Sequence, residues 1–255
     1  MNKDSVFNQI IETRENKGAG FFLLIDPDRI KEKEYLSLAV RAEECGVDAI
    51  LVGSSFNLHT NFQQAVKQIK SYTSVPVILF PSSFAQISPD FDAVLFSSLL
   101  SGRNPNFLID EQVKGAPLIK KYNLESIPTA YLLIESGSLT SAHYVSGTMP
   151  IPREKSDIAM AHALAGQLMG MKLVYLEAGS GAVFSVPLDM IRDVSKYVDI
   201  PLMVGGGLKT PESCANVVEA GASFVVVGTF MEENSDLNLL KEMTSAVHQK
   251  ESVKI

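Results

Sequence analysis

One carboxylate, Glu177, interrupts the segment Tyr175-Leu176-Glu177-Ala178-Gly179-Ser180-Gly181, between an apolar run that opens at Lys172 and a turn of small residues. A charge in such surroundings is costly unless it has a partner or a task. It reads as an acid or base offered to a substrate, with Tyr175 beside it, or else as a buried ion pair with a core lysine or arginine. Two more glycine-rich turns follow, Val204-Gly205-Gly206-Gly207 and Val227-Gly228-Thr229. Glycines let backbone N–H groups approach an anion, so Gly205, Gly206, Gly207, Gly228 and Thr229 suit a phosphate cradle. Taken singly, each glycine is explained as well by a tight turn; three in succession followed by Gly228 favour the cradle. Earlier, Asp26-Pro27-Asp28 sets two carboxylates two residues apart, and Ser54 and Ser55 supply hydroxyls. Such oxygens suit Mg²⁺ completed by water and substrate phosphate, although Asp-Pro-Asp also opens turns and caps helices. The histidines carry less. His59 and His143 lie near loops, whereas His162 and His248 fall in helical stretches, and neither a Ser/His/Asp arrangement nor zinc spacing is present.

These residues need elements to hold them. Short apolar runs end at Asp26, Gly53, Pro81, Ser97, Glu135, Gly179, Gly207 and Gly228, and helix-period stretches such as Glu34–Glu44, Phe62–Tyr72 and Leu188–Tyr197 separate most of them. Continuous apolar runs suit strands buried on both faces of a parallel sheet. Eight strand–helix units predict a single (β/α)8 TIM barrel over residues 1–255, in preference to an open doubly wound sheet. The interval from Ser83 to Asp92 is too short for a full helix, so the third helix is expected to be short or missing. The long Gly/Ser/Thr-rich connection from Glu135 to Ser156 is expected to act as a lid, and the tail from Lys250 to fray.

A chain of 255 residues with net charge −7 and no dense Lys/Arg block argues against nucleic acid. Cys45 and Cys214 lack metal spacing and read as buried thiols of a reducing compartment. With no signal-like segment and no run of membrane-spanning length, a cytoplasmic protein is expected.

At these motifs the chain resembles the geranylgeranylglyceryl phosphate synthases and their bacterial relatives. The matching pieces are Leu24-Ile25-Asp26-Pro27-Asp28, Val52-Gly53-Ser54-Ser55, the Tyr175–Gly181 segment, Val204–Gly207 and Val227–Thr229. Pro150-Ile151-Pro152 with Asp157-Ile158-Ala159 looks like the branch with a longer fifth loop. The resemblance implies a prenyltransferase that joins sn-glycerol 1-phosphate to a polyprenyl diphosphate with Mg²⁺, for ether phospholipid synthesis. It assigns the metal to Asp26 and Ser55. Glycerol phosphate is assigned to Tyr175, Leu176, Glu177, Ala178, Gly179, Ser180, Gly181, Gly205, Gly206, Gly207, Gly228 and Thr229, with Glu177 and Tyr175 catalytic. A homo-oligomer with transient membrane contact is implied as well. The chain departs from some relatives at Leu24, where they carry lysine, and at Gly53-Ser54-Ser55, where they often have two glycines. Phe80, Phe84, Phe96, Leu99, Leu100, Tyr131 and Leu133 are candidates for an apolar groove, and Arg153 and Lys155 for a diphosphate clamp. Two alternatives stay open: another phosphate-handling barrel isomerase or lyase, and a non-catalytic barrel that binds a phosphorylated metabolite.

Overall fold

The computed structural model describes residues 5–56, 62–234 and 236–249. Eight strands, β1 Gly20–Ile25, β2 Ala49–Val52, β3 Val77–Leu79, β4 Ala93–Leu99, β5 Glu125–Leu133, β6 Leu173–Glu177, β7 Leu202–Gly205 and β8 Phe224–Val227, close a barrel in sequence order. Every pairing is parallel, and β8 completes the ring by setting Phe224 opposite Gly20. The expected (β/α)8 barrel is therefore the fold.

The period of two along each strand sorts side chains between two cores. On β6, Leu173 and Tyr175 join the barrel interior, whereas Val174 and Leu176 join the layer beneath the helices. Glu177 continues the inward series at the C-terminal end of β6. On β1, Phe22 points inward and stacks on Phe224 with ring centroids 5.1 Å apart, while Phe21, Leu23 and Ile25 pack outward. Both strand faces are buried, which is why the runs are continuously apolar instead of alternating.

The helices are α1 Val6–Lys17, α2 Glu32–Arg41, α3 Phe62–Ser71, α4 Glu111–Tyr122, α5 Ser141–Ser146, α6 Ser156–Leu168, α7 Leu188–Tyr197, α8 Pro211–Glu219, α9 Thr229–Asn234 and α10 Leu237–Val247. Thr210 and Ser213 form a reciprocal cap on α8, with Pro211 at its first position. α1 plugs the N-terminal end of the barrel. Its Val6 and Ile10 enter the interior core, and Glu125 accepts the Val6 and Phe7 N–H groups at 2.6 and 3.0 Å.

Three connections shape the opposite end. Between β3 and β4 the third helix is reduced to a 3-10 turn, Phe84–Gln86, as the short interval predicts. α4 follows a π-helical turn at Asn106–Asp110 and carries Gly115 and Pro117, breaker residues that obscure its periodicity in the sequence. The long connection after β5 is ordered. It contains α5, pairs Ile151 with Ile134, and is tied down by Asn104 Nδ2 donating to Ser146 O at 2.8 Å.

Candidate active site

A cavity of about 360 Å³ opens at the C-terminal end of the barrel. Its floor is an aromatic layer of Phe80, Tyr131 and Tyr175, with centroids 5.3 to 5.6 Å apart. One side is polar, bordered by the loops after β1, β2, β6, β7 and β8. The other side is apolar and runs under the missing third helix between Phe84, Ile87, Phe96 and Leu99 and the α4 residues Gly115 and Ile119.

Glu177 sits where the two sides meet. It is buried, and one carboxylate oxygen accepts the Gly179 N–H at 2.6 Å. Burial raises its pKa above the ordinary carboxylate value, opposed by Tyr175 and by that N–H. Tyr175 Oη is buried beside it without a hydrogen bond of good geometry, and burial together with the Glu177 charge pushes its phenol well up. No lysine or arginine pairs with Glu177 among the described residues. The buried ion-pair reading therefore gives way to an acid or base held in a niche. The niche is made by absent side chains: a Cβ at Gly205 would come within 2.6 Å of Tyr175 Oη, and one at Gly206 within 2.5 Å of Glu177 Oε1. Gly206, Gly207, Gly179 and Gly181 all hold positive φ, which L side chains adopt only with strain.

Around this niche lie Ser180, Gly206, Gly207, Gly228 and Thr229, all bordering the cavity. The Ser180 and Thr229 hydroxyls are 2.7 Å apart, and Arg29 closes the triangle. Its guanidinium donates to Ser180 Oγ and, at 2.8 Å, to Thr229 Oγ1, and lies 4.0 Å from buried Glu232. Glu232 in turn accepts the Asp26 N–H at 2.8 Å, anchoring the loop after β1 to α9. Arg29 was not legible in the sequence, because only folding brings the loop after β1 against those after β6 and β8. A cation one residue past Asp28 was the available signal.

Asp26, Ser54 and Ser55 border the same cavity. Burial raises the Asp26 pKa, the neighbouring Asp28 charge adds to it, and hydrogen bonds from Asp28 N–H and Ser54 oppose it. Asp28 N donates to Asp26 Oδ1 at 3.0 Å, and Ser54 Oγ donates to Asp28 Oδ2 at 3.1 Å. Among the described residues no three His, Cys, Asp or Glu side chains gather into a metal cage.

Other candidates fall elsewhere. Leu176 faces the helical layer, and Leu176, Ala178 and Gly205 do not border the cavity. Leu100 and Leu133 also lie off the apolar side. Arg153, a candidate diphosphate clamp, does not border the cavity: it donates to Glu135 O and Ser185 O at 3.0 and 2.8 Å and lies 5.2 Å from the Phe184 ring, joining two loops. Lys155 precedes α6 and is outside the cavity lining. His143 does not border the cavity, His162 is half-buried on α6, and His248 bonds Asp48 at 2.8 Å at the far end of the barrel. His59 and the tail from Lys250 lie outside the described residues.

Comparison with known proteins agrees with this geometry. The PcrB family matches residues 8–247. A geranylgeranylglyceryl phosphate synthase of Flavobacterium johnsoniae is 45% identical over 231 residues, which is 91% of this chain and 95% of the relative. One of Pyrococcus furiosus is 49% identical over 212 residues, 83% of this chain and 84% of the relative. The crystal structure of (S)-3-O-geranylgeranylglyceryl phosphate synthase from Thermoplasma acidophilum, in complex with its substrate sn-glycerol-1-phosphate, superposes with a TM-score of 0.91 at 34% identity, covering 96% of this chain and 99% of that one. This chain belongs to the PcrB family and stands among the geranylgeranylglyceryl phosphate synthases, which are prenyltransferases.

Proposed function

We propose that the protein joins the C3 hydroxyl of sn-glycerol 1-phosphate to a polyprenyl chain, geranylgeranyl being the first candidate, and releases diphosphate as a step of ether phospholipid synthesis. One observation carries this reading: a phosphate-sized polar niche and an apolar channel meet in one cavity at a buried carboxylate. An isomerase or lyase of a small phosphorylated sugar has no use for the apolar side.

In this reading the phosphate lies among Ser180, Gly206, Gly207, Gly228, Thr229 and the Arg29 guanidinium, which supply N–H and O–H donors with a fixed positive charge. That placement sets the glycerol hydroxyl beside Glu177. The carboxylate takes the hydroxyl proton, the oxygen bonds to the allylic carbon, and the diphosphate leaves with the electron pair of the broken C–O bond. Positive charge that develops on the allylic carbon faces Glu177 and the rings of Phe80, Tyr131 and Tyr175, whose π faces favour a cation. The gain comes mainly from holding the two reactants in line.

The Asp26 loop fits Mg²⁺: the donors are all oxygen, two carboxylates stand close together, and the Asp28 charge adds to the cost of charging Asp26. By the resemblance Ser55 is the hydroxyl ligand beside Asp26, while Ser54 Oγ donates to Asp28 Oδ2. Mg²⁺ held there supplies charge neutralisation to the diphosphate. By the same resemblance the protein is a cytoplasmic homo-oligomer, checked by its mass in solution. Among the described residues no helix is long and apolar enough to cross a membrane.

The test is an assay with sn-glycerol 1-phosphate, sn-glycerol 3-phosphate and prenyl diphosphates of graded length. The reading expects turnover of the 1-phosphate alone, lost with chelator and in Asp26→Asn. Tight binding of glycerol phosphate with no product from any donor would return the protein to a sensor role.

A further inference from the structure

We propose that the rim of the cavity mouth formed by the connections after β5 and β6 is a docking surface for the lipid bilayer that holds the polyprenyl donor. The inference rests on the prenyl-transfer reading above. Four exposed apolar side chains lie on the connection after β5: Leu139 at 65%, Tyr144 at 76%, Val145 at 39% and Met149 at 84% exposed. Val183 and Phe184, each about half exposed, lie on the connection after β6. The two connections touch. Phe184 N donates to Ser136 O at 3.1 Å, and a Cβ at Gly137 would come within 2.7 Å of the Phe184 ring. The six side chains therefore share one end of the barrel.

Charge is sparse on this surface: the Arg153 guanidinium, 5.2 Å from the Phe184 ring at its edge, is taken up by the carbonyls of Glu135 and Ser185. Residues 136–152 and 178–188 contain no Asp, Glu, Lys or Arg. A surface that enters the headgroup and acyl boundary loses less free energy when no ionised group must be dehydrated, and apolar rings and thioethers suit that depth. An exposed apolar patch of this kind marks a contact site more often than an accident of sequence.

The occupant is argued from continuity with the cavity. α5 faces two ways: Ala142, Val145 and Ser146 border the cavity, while Tyr144 is the most exposed residue of the helix face opposite. The cavity that holds the apolar channel is thus bordered by the helix that carries the apolar rim, which gives a donor leaving a bilayer an apolar path toward it. A bilayer held by apolar insertion, by an acidic chain of net charge −7, requires neither anionic lipid nor low salt.

The experiment compares the full chain with a Leu139→Ser, Tyr144→Ser, Met149→Ser variant, none of whose altered residues borders the cavity. Flotation with neutral phosphatidylcholine vesicles is measured at low and high salt. Turnover is measured with a long donor embedded in those vesicles and with a short, water-soluble prenyl diphosphate. The native chain is expected to float at both salt concentrations. The variant is expected to lose vesicle binding and embedded-donor turnover by roughly tenfold or more, with soluble-donor turnover unchanged, which also shows that it folds. Native protein that fails to float overturns the proposal. So does a variant whose solution mass falls from a multiple to a single copy while the native chain ignores vesicles, since the patch then belongs to a second copy. Absence of turnover with either donor refutes the prenyl-transfer reading instead, and the flotation result still decides the surface.

Discussion

Replacing Arg29 by alanine tests the phosphate cradle directly. The guanidinium holds Ser180 and Thr229 on two different loops and is the cation nearest their shared edge of the cavity. A hydrogen bond to a charged partner contributes about 1.5–3 kcal/mol, and the low end applies because the side chain is 43% exposed and solvent screens it. About 1.5–2 kcal/mol corresponds to roughly a ten- to thirtyfold change in an equilibrium constant. Since the phosphate stays bound throughout the reaction, the loss should appear as a higher KM for glycerol phosphate with kcat little altered. Arg29→Lys keeps the charge but not the two-pronged geometry, so it should fall between. Steady-state kinetics with acceptor and donor varied separately, in wild type and both variants, measures this. A KM for glycerol phosphate that does not move would refute the reasoning. A rise confined to the prenyl donor would reassign Arg29 to the diphosphate.

Three more outcomes follow from the same geometry. Glu177 has a raised carboxyl pKa, so between the ordinary Glu value and the raised one its folded state holds a proton that the unfolded chain releases. That contribution to stability is complete below the ordinary Glu value and is lost as pH rises through the raised one. Glu177→Gln should therefore melt at an equal or higher temperature than wild type at neutral pH, while turnover falls roughly 10²–10⁴-fold; in wild type the acid limb of the rate should lie above the usual carboxylate range. A glutamine variant that melts clearly lower at neutral pH would sink the assignment of Glu177 as a strained base. Gly206→Ala places a Cβ 2.5 Å from Glu177 Oε1 and 2.7 Å from Gly179 N on a backbone with φ +85°. Left-handed strain of about 1–2 kcal/mol should lower Tm by roughly 2–8 °C, and kcat should fall more than KM rises because the displaced atom is the base. Gly115→Leu fills the gap against Ile87, where even a Cβ would sit 2.9 Å from Ile87 Cδ1. Competition between donors of graded length should then favour shorter chains, and an unchanged preference would show that the channel does not run there.

The strands, the barrel and the short third connection were legible in the residues, because strands buried on both faces must be continuously apolar and each must end before its loop can turn. Glu177 and the glycine-rich turns announced themselves by the cost of placing a carboxylate, or so many unrestrained backbone positions, in an apolar context. Other features depend on neighbours distant in the chain. Gly205 and Gly206 read as phosphate contacts in the sequence, yet their missing side chains seat Tyr175 and Glu177 as well. Arg153 offered only a charge and a loop, and its carbonyl partners at Glu135 and Ser185 became its role once the loops met. Arg29 meets Ser180 and Thr229, 151 and 200 residues away in the chain, only because closure of the barrel makes β1 and β8 neighbours. Residue types and short spacings are local and set which chemistry is available. Which side chains share a cavity is decided by the ring of strands, and no local pattern encodes it.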